Sequence, residues 1–280
     1  MKFLNKKQIH EIKTFYMGDL LKTFDISSTN TMQVFFYKHL SEIDLILDNI
    51  SKTSIDLKSL EILDVGGGLG INCIILKKIF GINSTVIDRL DEFDKKHNRA
   101  TGNDTALKKR LNHFGVKIIE SDFIKNNFND LDQKFNCITC FSVIEHFSFS
   151  PKSFLNQLHR LCKKNALVLI STPNQLHLLN RFRALFGINI WENFDYYFHS
   201  DQYFGHVREF TADEMIRIAT ETQNLDLMTL DYSNFPIYSN NSMNYFKKNL
   251  ALNILGYIFE LFCLFNKKFK FHLTLILKTK

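Results

Sequence analysis

The sequence predicts an open, doubly wound α/β fold with a mostly parallel sheet. From residue 59 onward, short apolar runs alternate with stretches of helical spacing, and the first run passes directly into a glycine-dense turn. Strands that alternate with helices in this way form parallel sheets covered by helices on both faces. The chain has 280 residues, of which 45% are hydrophobic and 23% charged, and this suits one large globular domain with an elaboration.

The stretch 59–76 organises the rest of the chain. Its apolar run predicts a buried strand, and a helical pattern begins just after a turn of four glycines. These glycines are Gly66, Gly67, Gly68 and Gly70. A turn of this kind lets the backbone lie against a ligand, because glycine accepts a positive φ and has no Cβ. Strand, tight turn and helix in this order form the nucleotide-binding unit of open α/β sheets.

The glycine spacing decides between nucleotides. The dinucleotide fingerprint G-x-G-x-x-G fails because its last position falls on Ile71. The pattern present is D-x-G-x-G-x-G, from Asp64 to Gly70, and it resembles motif I of the class I S-adenosylmethionine (SAM)-dependent methyltransferases. The resemblance implies SAM as cofactor, held by Asp64 and the four glycines, and an activity of the EC 2.1.1 class. It also implies a Rossmann-like sheet of seven strands that ends with an antiparallel strand.

Acids follow the next two predicted strands. Asp88 ends the second strand, where a carboxylate in a doubly wound fold accepts hydrogen bonds from ribose hydroxyls, and Asp91 is the alternative if that strand ends later. The resemblance gives Asp122, after the third strand, a bond to the adenine amino group. It places Phe123 against the adenine ring and Phe141 at the cofactor. Alternatively, Ser121 or Asp122 only forms the N-cap of a following helix.

The fourth predicted strand leads into the phrase VIEH, with Glu145 and His146 just past its carboxyl end, where catalytic groups of such folds lie. The phrase resembles small-molecule O-methyltransferases. There a histidine acts as general base toward an acceptor hydroxyl, although it can equally form only a wall of the site. In ubiquinone-pathway O-methyltransferases, an earlier Glu joins this Glu and His at a divalent metal. That position is Ser142 here, so only two ligands remain and we expect no metal site.

The stretch 174–211 is too long for a simple connection and predicts a substrate lid. Aromatic residues of this stretch either line a pocket or pack a small core of the insertion. The candidates for contact with substrate are Trp191, Tyr197 and Tyr203. The insertion ends in HVREFT, which resembles methyltransferases of sugar and polysaccharide biosynthesis. That resemblance places His206, as a further catalytic candidate, and Arg208 at the acceptor.

The two ends of the chain flank this domain. Residues 1–50 predict a cap of two amphipathic helices, and 51–280 form the methyltransferase domain with a helical insertion at about 240–266. Lysines concentrate at both ends, although the net charge is only +6. The nearly neutral body argues against a nucleic-acid partner, whereas the basic C-terminal segment permits peripheral contact with a membrane. The oligomeric state is not predicted.

These observations predict a SAM-dependent O-methyltransferase acting on a small molecule or a sugar precursor. The alternatives are a SAM-binding subunit without catalysis and, less favoured by the glycine spacing, an NAD(P)-dependent oxidoreductase. The five cysteines lie in predicted core elements, and the chain begins without an apolar leader, so we expect a reduced, cytoplasmic protein. Cys137 and Cys140 form a CxxC within a strand, where residues three apart face opposite sides, and we therefore expect no joint thiol site.

Overall fold

The computed structural model describes residues 2–24, 26–89, 104–126, 128–191, 194–199, 205–234, 259 and 261–280, without the side chains of 26–34, 58 and 104–105. The described strands are β1 (Glu61–Val65), β2 (Asn83–Asp88), β3 (Lys117–Glu120), β4 (Phe135–Phe141), β5 (Cys162–Pro173), β6 (Leu225–Ser233) and β7 (His272–Thr279). They form one sheet in the order β3-β2-β1-β4-β5-β7-β6. Neighbours from β3 to β5 pair in parallel, and β7 is antiparallel to both β5 and β6. The predicted seven-stranded, mostly parallel fold is confirmed.

Helices cover both faces of the sheet. The described helices are α1 (Lys6–Phe15), α2 (Ile26–Ser51), α3 (Ile71–Phe80), α4 (Asp104–His113), α5 (Lys152–Leu161), α6 (Leu178–Leu185), α7 (Phe194–His199) and α8 (Ala212–Glu221). One core cluster joins α1 to α4 with one face of the sheet, and a second cluster joins α5 and α8 with the other face. The sheet therefore separates two apolar layers, as the alternation of side chains along its strands requires.

The N-terminal helices belong to the first of these layers. Asn5 and Gln8 form a capping box that begins α1, and a short π-helical and 3-10 link (16–23) leads toward α2. The apolar face of α2, including Leu40, Ile43 and Ile46, is fully buried in the same cluster as Ile74 of α3. The predicted cap thus shares its core with the helix that follows the glycine turn.

Two further expectations concern the cysteines and membrane spans. Cys137 and Cys140 are both buried on β4, and they lie in opposite core clusters, as the strand geometry predicts. Within the described residues, no helix combines the length and the apolar character that a membrane crossing needs. Asp91, Tyr203 and most of the predicted insertion at 240–266 lie outside the described residues.

Candidate active site

The glycine turn between β1 and α3 is packed at Gly66, Gly67 and Gly70 and open at Gly68. A Cβ on Gly66 would lie 2.5 Å from Val143 Cγ2, and one on Gly70 would lie 2.5 Å from Leu111 Cδ2, so both glycines are required for packing. Gly68 differs, because a Cβ built there has no described heavy atom within 4 Å, at a φ of +51°. The turn therefore presents its open side at Gly68, at the carboxyl edge of the sheet.

Asp88 lies directly beside this opening. Its Oδ2 accepts a hydrogen bond from the backbone N–H of Gly68 at 2.8 Å. The acid at the end of β2 and the middle of the glycine turn are thus neighbours, although 20 residues separate them. This is the arrangement expected where the ribose and the methionine part of one cofactor meet, and the ribose contact remains a prediction.

The residues proposed for adenine have local partners. Asp122 Oδ1 accepts the N–H groups of Ile124 and Lys125 at 2.9 and 3.2 Å, so the capping alternative describes its present contacts. The Phe123 ring is buried and stacks on Phe128, with the ring centroids 5.4 Å apart. Phe141 is half-buried at the end of β4. Contacts of Asp122, Phe123 and Phe141 with a cofactor therefore remain predictions.

Asp64 is buried beneath the turn rather than exposed on it. Thr139 Oγ1 donates a hydrogen bond to Asp64 Oδ1 at 2.7 Å, and a Cβ on Gly67 would lie 2.6 Å from Asp64 Oδ2. Burial raises the pKa of this carboxyl to about 7, and the nearby carboxylates of Glu42 and Asp88 also raise it. The hydroxyl of Thr139 lowers the pKa but only partly offsets the effect of burial.

This raised pKa predicts a pH-dependent stability difference. The folded protein holds the Asp64 proton more tightly than the unfolded chain does. The protonated carboxyl therefore stabilises the folded state fully below about pH 4, and this stabilisation is lost as the pH rises through about 7. Between pH 4 and pH 7, the free energy of unfolding of Asp64→Asn, measured in urea, should rise relative to that of the parent by up to about 1.4 kcal/mol per pH unit. Asp130→Asn, at an exposed acid, should show no such trend. A difference between Asp64→Asn and the parent that stays constant from pH 5 to 8 contradicts the prediction.

Beyond β4, three titratable side chains form what we call the Glu-His-His cluster: Glu145, His146 and His206. One carboxylate oxygen of Glu145 and one ring nitrogen of each histidine all lie within 4.8 Å of one another. The two imidazole rings meet edge to face, with centroids 5.1 Å apart. The packing of Gly66 against Val143 places the cluster next to the glycine turn. His206, which is 60 residues beyond His146 in the chain, joins it only through the fold.

Backbone contacts fix the segment that carries His206. The N–H groups of Val207 and Arg208 both donate to the carbonyl oxygen of Glu145, at 2.8 and 3.1 Å. His146 Nδ1 lies 3.1 Å from the carbonyl oxygen of Gly205. Because a carbonyl only accepts, Nδ1 carries the proton and Nε2 carries the lone pair. The segment after the insertion thus holds His146 in one tautomer.

His206 is oriented by a carboxylate. Its Nδ1 lies 2.8 Å from Glu209 Oε1, and both side chains are largely covered. The carboxylate accepts the Nδ1 proton, so His206 too presents Nε2 as the nitrogen with the lone pair. Sequence reasoning did not select Glu209, although its i, i+3 spacing from His206 within HVREF is visible in the sequence.

Glu145 is fully buried, and neither of its carboxylate oxygens has a hydrogen-bond partner within the described part of the chain. Burial raises its pKa to about 7, while His206 and Lys38 lower it. The hydroxyl of Thr172, at the end of β5, is near enough to lower this pKa but is not in hydrogen-bonding geometry with the carboxylate. The sequence pattern did not single out Thr172, because its role depends on β5 lying beside β4.

Helix α2 also reaches the site. Asn72, in the first turn of α3, donates to Glu42 Oε2 at 2.7 Å, and its Oδ1 lies 3.1 Å from His39 Nδ1. Lys38 lies 3.8 Å from Glu42 and exerts its charge on Glu145. The sequence predicted a cap of N-terminal helices, but it did not indicate which residues of the cap face the site.

The described candidates for contact with substrate are exposed. Trp191 and Tyr197 are 49% and 59% exposed, and no residue of α7 is buried, so the described insertion has no apolar core at α7. Arg208 is exposed and pairs with Glu214 at 2.6 Å, at the start of α8. It lines an open groove of about 330 Å³ together with Phe147 and Phe149. A role of these residues in acceptor binding remains a prediction.

Comparison with protein families gives one match that covers most of the chain. Residues 37–230 match the family model described as methyltransferase domain. The ubiquinone biosynthesis O-methyltransferase of Rickettsia prowazekii is 31% identical over 152 residues, which are 54% of this chain and 53% of that protein. The mitochondrial ubiquinone biosynthesis O-methyltransferase of Dictyostelium discoideum is 27% identical over 137 residues, 47% of this chain and 41% of that protein. The matches thus span about half the length of these relatives.

Solved structures agree on the fold. The phosphoethanolamine N-methyltransferase 2 of Haemonchus contortus, in complex with SAM, has a TM-score of 0.51 at 13% identity, with 84% of this chain and 51% of that chain covered. The 1,6-didemethyltoxoflavin-N1-methyltransferase of Burkholderia thailandensis has a TM-score of 0.50 at 12% identity, with 97% and 90% covered. At such low identity the likeness concerns the fold alone.

Proposed function

Since this chain belongs to the class I SAM-dependent methyltransferases, we propose that it transfers the methyl group of SAM to a hydroxyl group of a small molecule. The relatives named ubiquinone biosynthesis O-methyltransferase support an oxygen acceptor. Within that class, a sugar or polysaccharide precursor stays open as the acceptor, since the phrase HVREFT resembles enzymes of that kind. The family match and the complete glycine turn disfavour an NAD(P)-dependent oxidoreductase.

The observation that carries the proposal is the Glu-His-His cluster beside the glycine turn. Methyl transfer is an in-line displacement, in which the bond from acceptor oxygen to methyl forms while the bond from methyl to sulfur breaks. The hydroxyl proton must leave, and the cluster supplies acceptors for it where β4 ends. Alignment of the two reactants then accounts for much of the rate, since effective molarities of well-oriented groups reach about 10⁵–10⁸ M.

The cluster residues differ in access, and we assign their roles accordingly. His146 is exposed and contacts the entering acceptor, His206 is half-buried, and Glu145 is buried behind them. The two imidazoles present their Nε2 lone pairs, so each is in the form that takes up a proton. Glu145 stabilises the positive charge that results. His146 is thereby the first candidate for general base, and His206 and Glu145 assist it.

The C-terminal segment supports a finer proposal about partners. Leu264 and Phe265 are 80% and 83% exposed, and Lys267 and Lys268 follow them after Asn266. Apolar side chains next to lysines suit peripheral contact with an anionic membrane surface, where an apolar acceptor would be found. A cytoplasmic location remains part of the proposal.

Two experiments test the proposed function. Heat stability of the full chain should rise with SAM and not with NADH, because only SAM binds the folded state. Incubation with SAM carrying a labelled methyl group and a metabolite extract should then transfer the label to an oxygen of a small molecule. Label on nitrogen or carbon contradicts the O-methylation proposal. If SAM stabilises the protein but no extract accepts label, the subunit without catalysis becomes the better assignment.

A further inference from the structure

The Glu-His-His cluster brings together three residues that can bind a metal, whereas the sequence analysis counted only two. The expectation of no metal rested on Ser142, which stands where the resemblance would require an acid. We propose that Glu145, His146 and His206 bind a divalent transition-metal ion, and that His206 supplies the ligand that Ser142 lacks. The three ligand atoms all lie within 4.8 Å of one another, so the fold already gathers them at one point beyond β4.

Each histidine has the outer partner of a metal ligand. Histidines that bind metals donate their second ring N–H to a carboxylate or a backbone carbonyl, and this fixes the tautomer. His146 donates to the carbonyl of Gly205 at 3.1 Å, and His206 donates to Glu209 at 2.8 Å. One imidazole thus has the carbonyl partner and the other has the carboxylate partner. In this tautomer Nε2 is the nitrogen that would coordinate an ion.

Glu145 gives an independent reason to expect a cation. Its side chain has no exposed surface, and both carboxylate oxygens lack a hydrogen-bond partner among the described residues. A buried carboxylate without such partners is costly, and a bound cation offsets that cost. The exposure increases from Glu145 through His206 to His146, so an ion can enter from the His146 side and keep coordination positions open there.

The ligand types select the metal. Two imidazoles and one carboxylate suit Zn²⁺, Fe²⁺, Co²⁺ and related ions, whereas Mg²⁺ prefers an all-oxygen set. The set also differs from the one that the resemblance implies, because an imidazole replaces an acid. When bound, such an ion lowers the pKa of a coordinated hydroxyl group, and an imidazole that coordinates through Nε2 is then a ligand rather than the general base. The role of the ion therefore rests on the proposed function, while its binding can be measured without any acceptor.

The test uses Co²⁺ as the probe. The full-length protein is treated with a chelator, desalted and titrated with CoCl₂, while visible absorption and heat are followed. We expect one Co²⁺ per chain and no displacement by millimolar Mg²⁺. His206→Ala should weaken Co²⁺ binding at least 10-fold, and Glu209→Gln should weaken it by about 10–100-fold, the range for outer partners of metal ligands. His10→Ala, at an exposed histidine of α1, is the control and should bind as the parent does.

The outcomes separate this inference from the proposed function. Unaltered Co²⁺ binding in His206→Ala and Glu209→Gln, absence of stoichiometric binding, or displacement by Mg²⁺ would overturn it. Glutamine has nearly the same size as glutamate, so Co²⁺ binding by Glu209→Gln tests the inference if His206→Ala does not fold. Because Co²⁺ binding is measured without any acceptor, failure of methyl transfer to an oxygen would overturn the proposed function and leave this inference standing.

Discussion

Replacement of Gly68 by leucine should abolish SAM binding, with no heat detected in calorimetry at concentrations that saturate the parent. The side chain would enter the space in front of the glycine turn, where no described heavy atom lies within 4 Å of the new Cβ. That space adjoins Asp88, whose carboxylate accepts the Gly68 N–H. A cofactor and a leucine side chain cannot occupy it together. The expected loss is therefore steric rather than a consequence of misfolding.

A matched control separates cofactor exclusion from backbone strain. Gly81, after the far end of α3, also has a positive φ, and a Cβ there likewise has no described neighbour within 4 Å. Leucine at either position carries the cost of the left-handed conformation, about 1–2 kcal/mol. We expect similar stability losses in both variants, but normal SAM affinity in Gly81→Leu. Equal SAM affinity in Gly68→Leu and the parent would remove the turn from the cofactor site.

The sequence located the parts of the site that depend on local order along the chain. Asp88 is predictable because the apolar strand before it ends where the polar residues begin, and the acid lies beside the glycine turn in the structure. The VIEH phrase is predictable for the same reason, since it follows a largely apolar strand. Parallel strands bring these carboxyl ends to one edge, so a correct strand order already gives an approximate site.

Other parts of the site depend on contacts between distant segments. The approach of His206 to Glu145 requires the chain to return after the insertion, and it is fixed by backbone hydrogen bonds that no residue pattern encodes. The network of His39, Glu42 and Asn72 likewise depends on how α2 packs against α3. For the same reason, the sequence counted two candidate metal ligands where the fold gathers three.

The exposed position of His146 makes it the most informative residue of the cluster to change. His146→Ala should lower kcat by about 10²–10⁴-fold, the range for loss of a group that assists proton transfer. SAM affinity should stay near that of the parent, because the cofactor site is built from the glycine turn and the end of β2. Turnover with the labelled acceptor and calorimetry with SAM measure the two effects, and His10→Ala is again the control. Full turnover in His146→Ala would mean that methyl transfer relies on alignment alone.

His206→Ala then distinguishes the two ways in which the cluster can act. If His146 acts as the general base in a cluster without an ion, and His206 only contacts the acceptor, His206→Ala should raise KM and leave kcat largely unchanged. If the cluster holds an ion, kcat should fall as it does in His146→Ala, because each change removes one of three ligands. Glu209→Gln should follow His206→Ala in the same direction but with a smaller effect, since Glu209 acts through the imidazole that it orients at 2.8 Å. A loss of kcat in His206→Ala with full turnover in His146→Ala would assign the base to His206 instead.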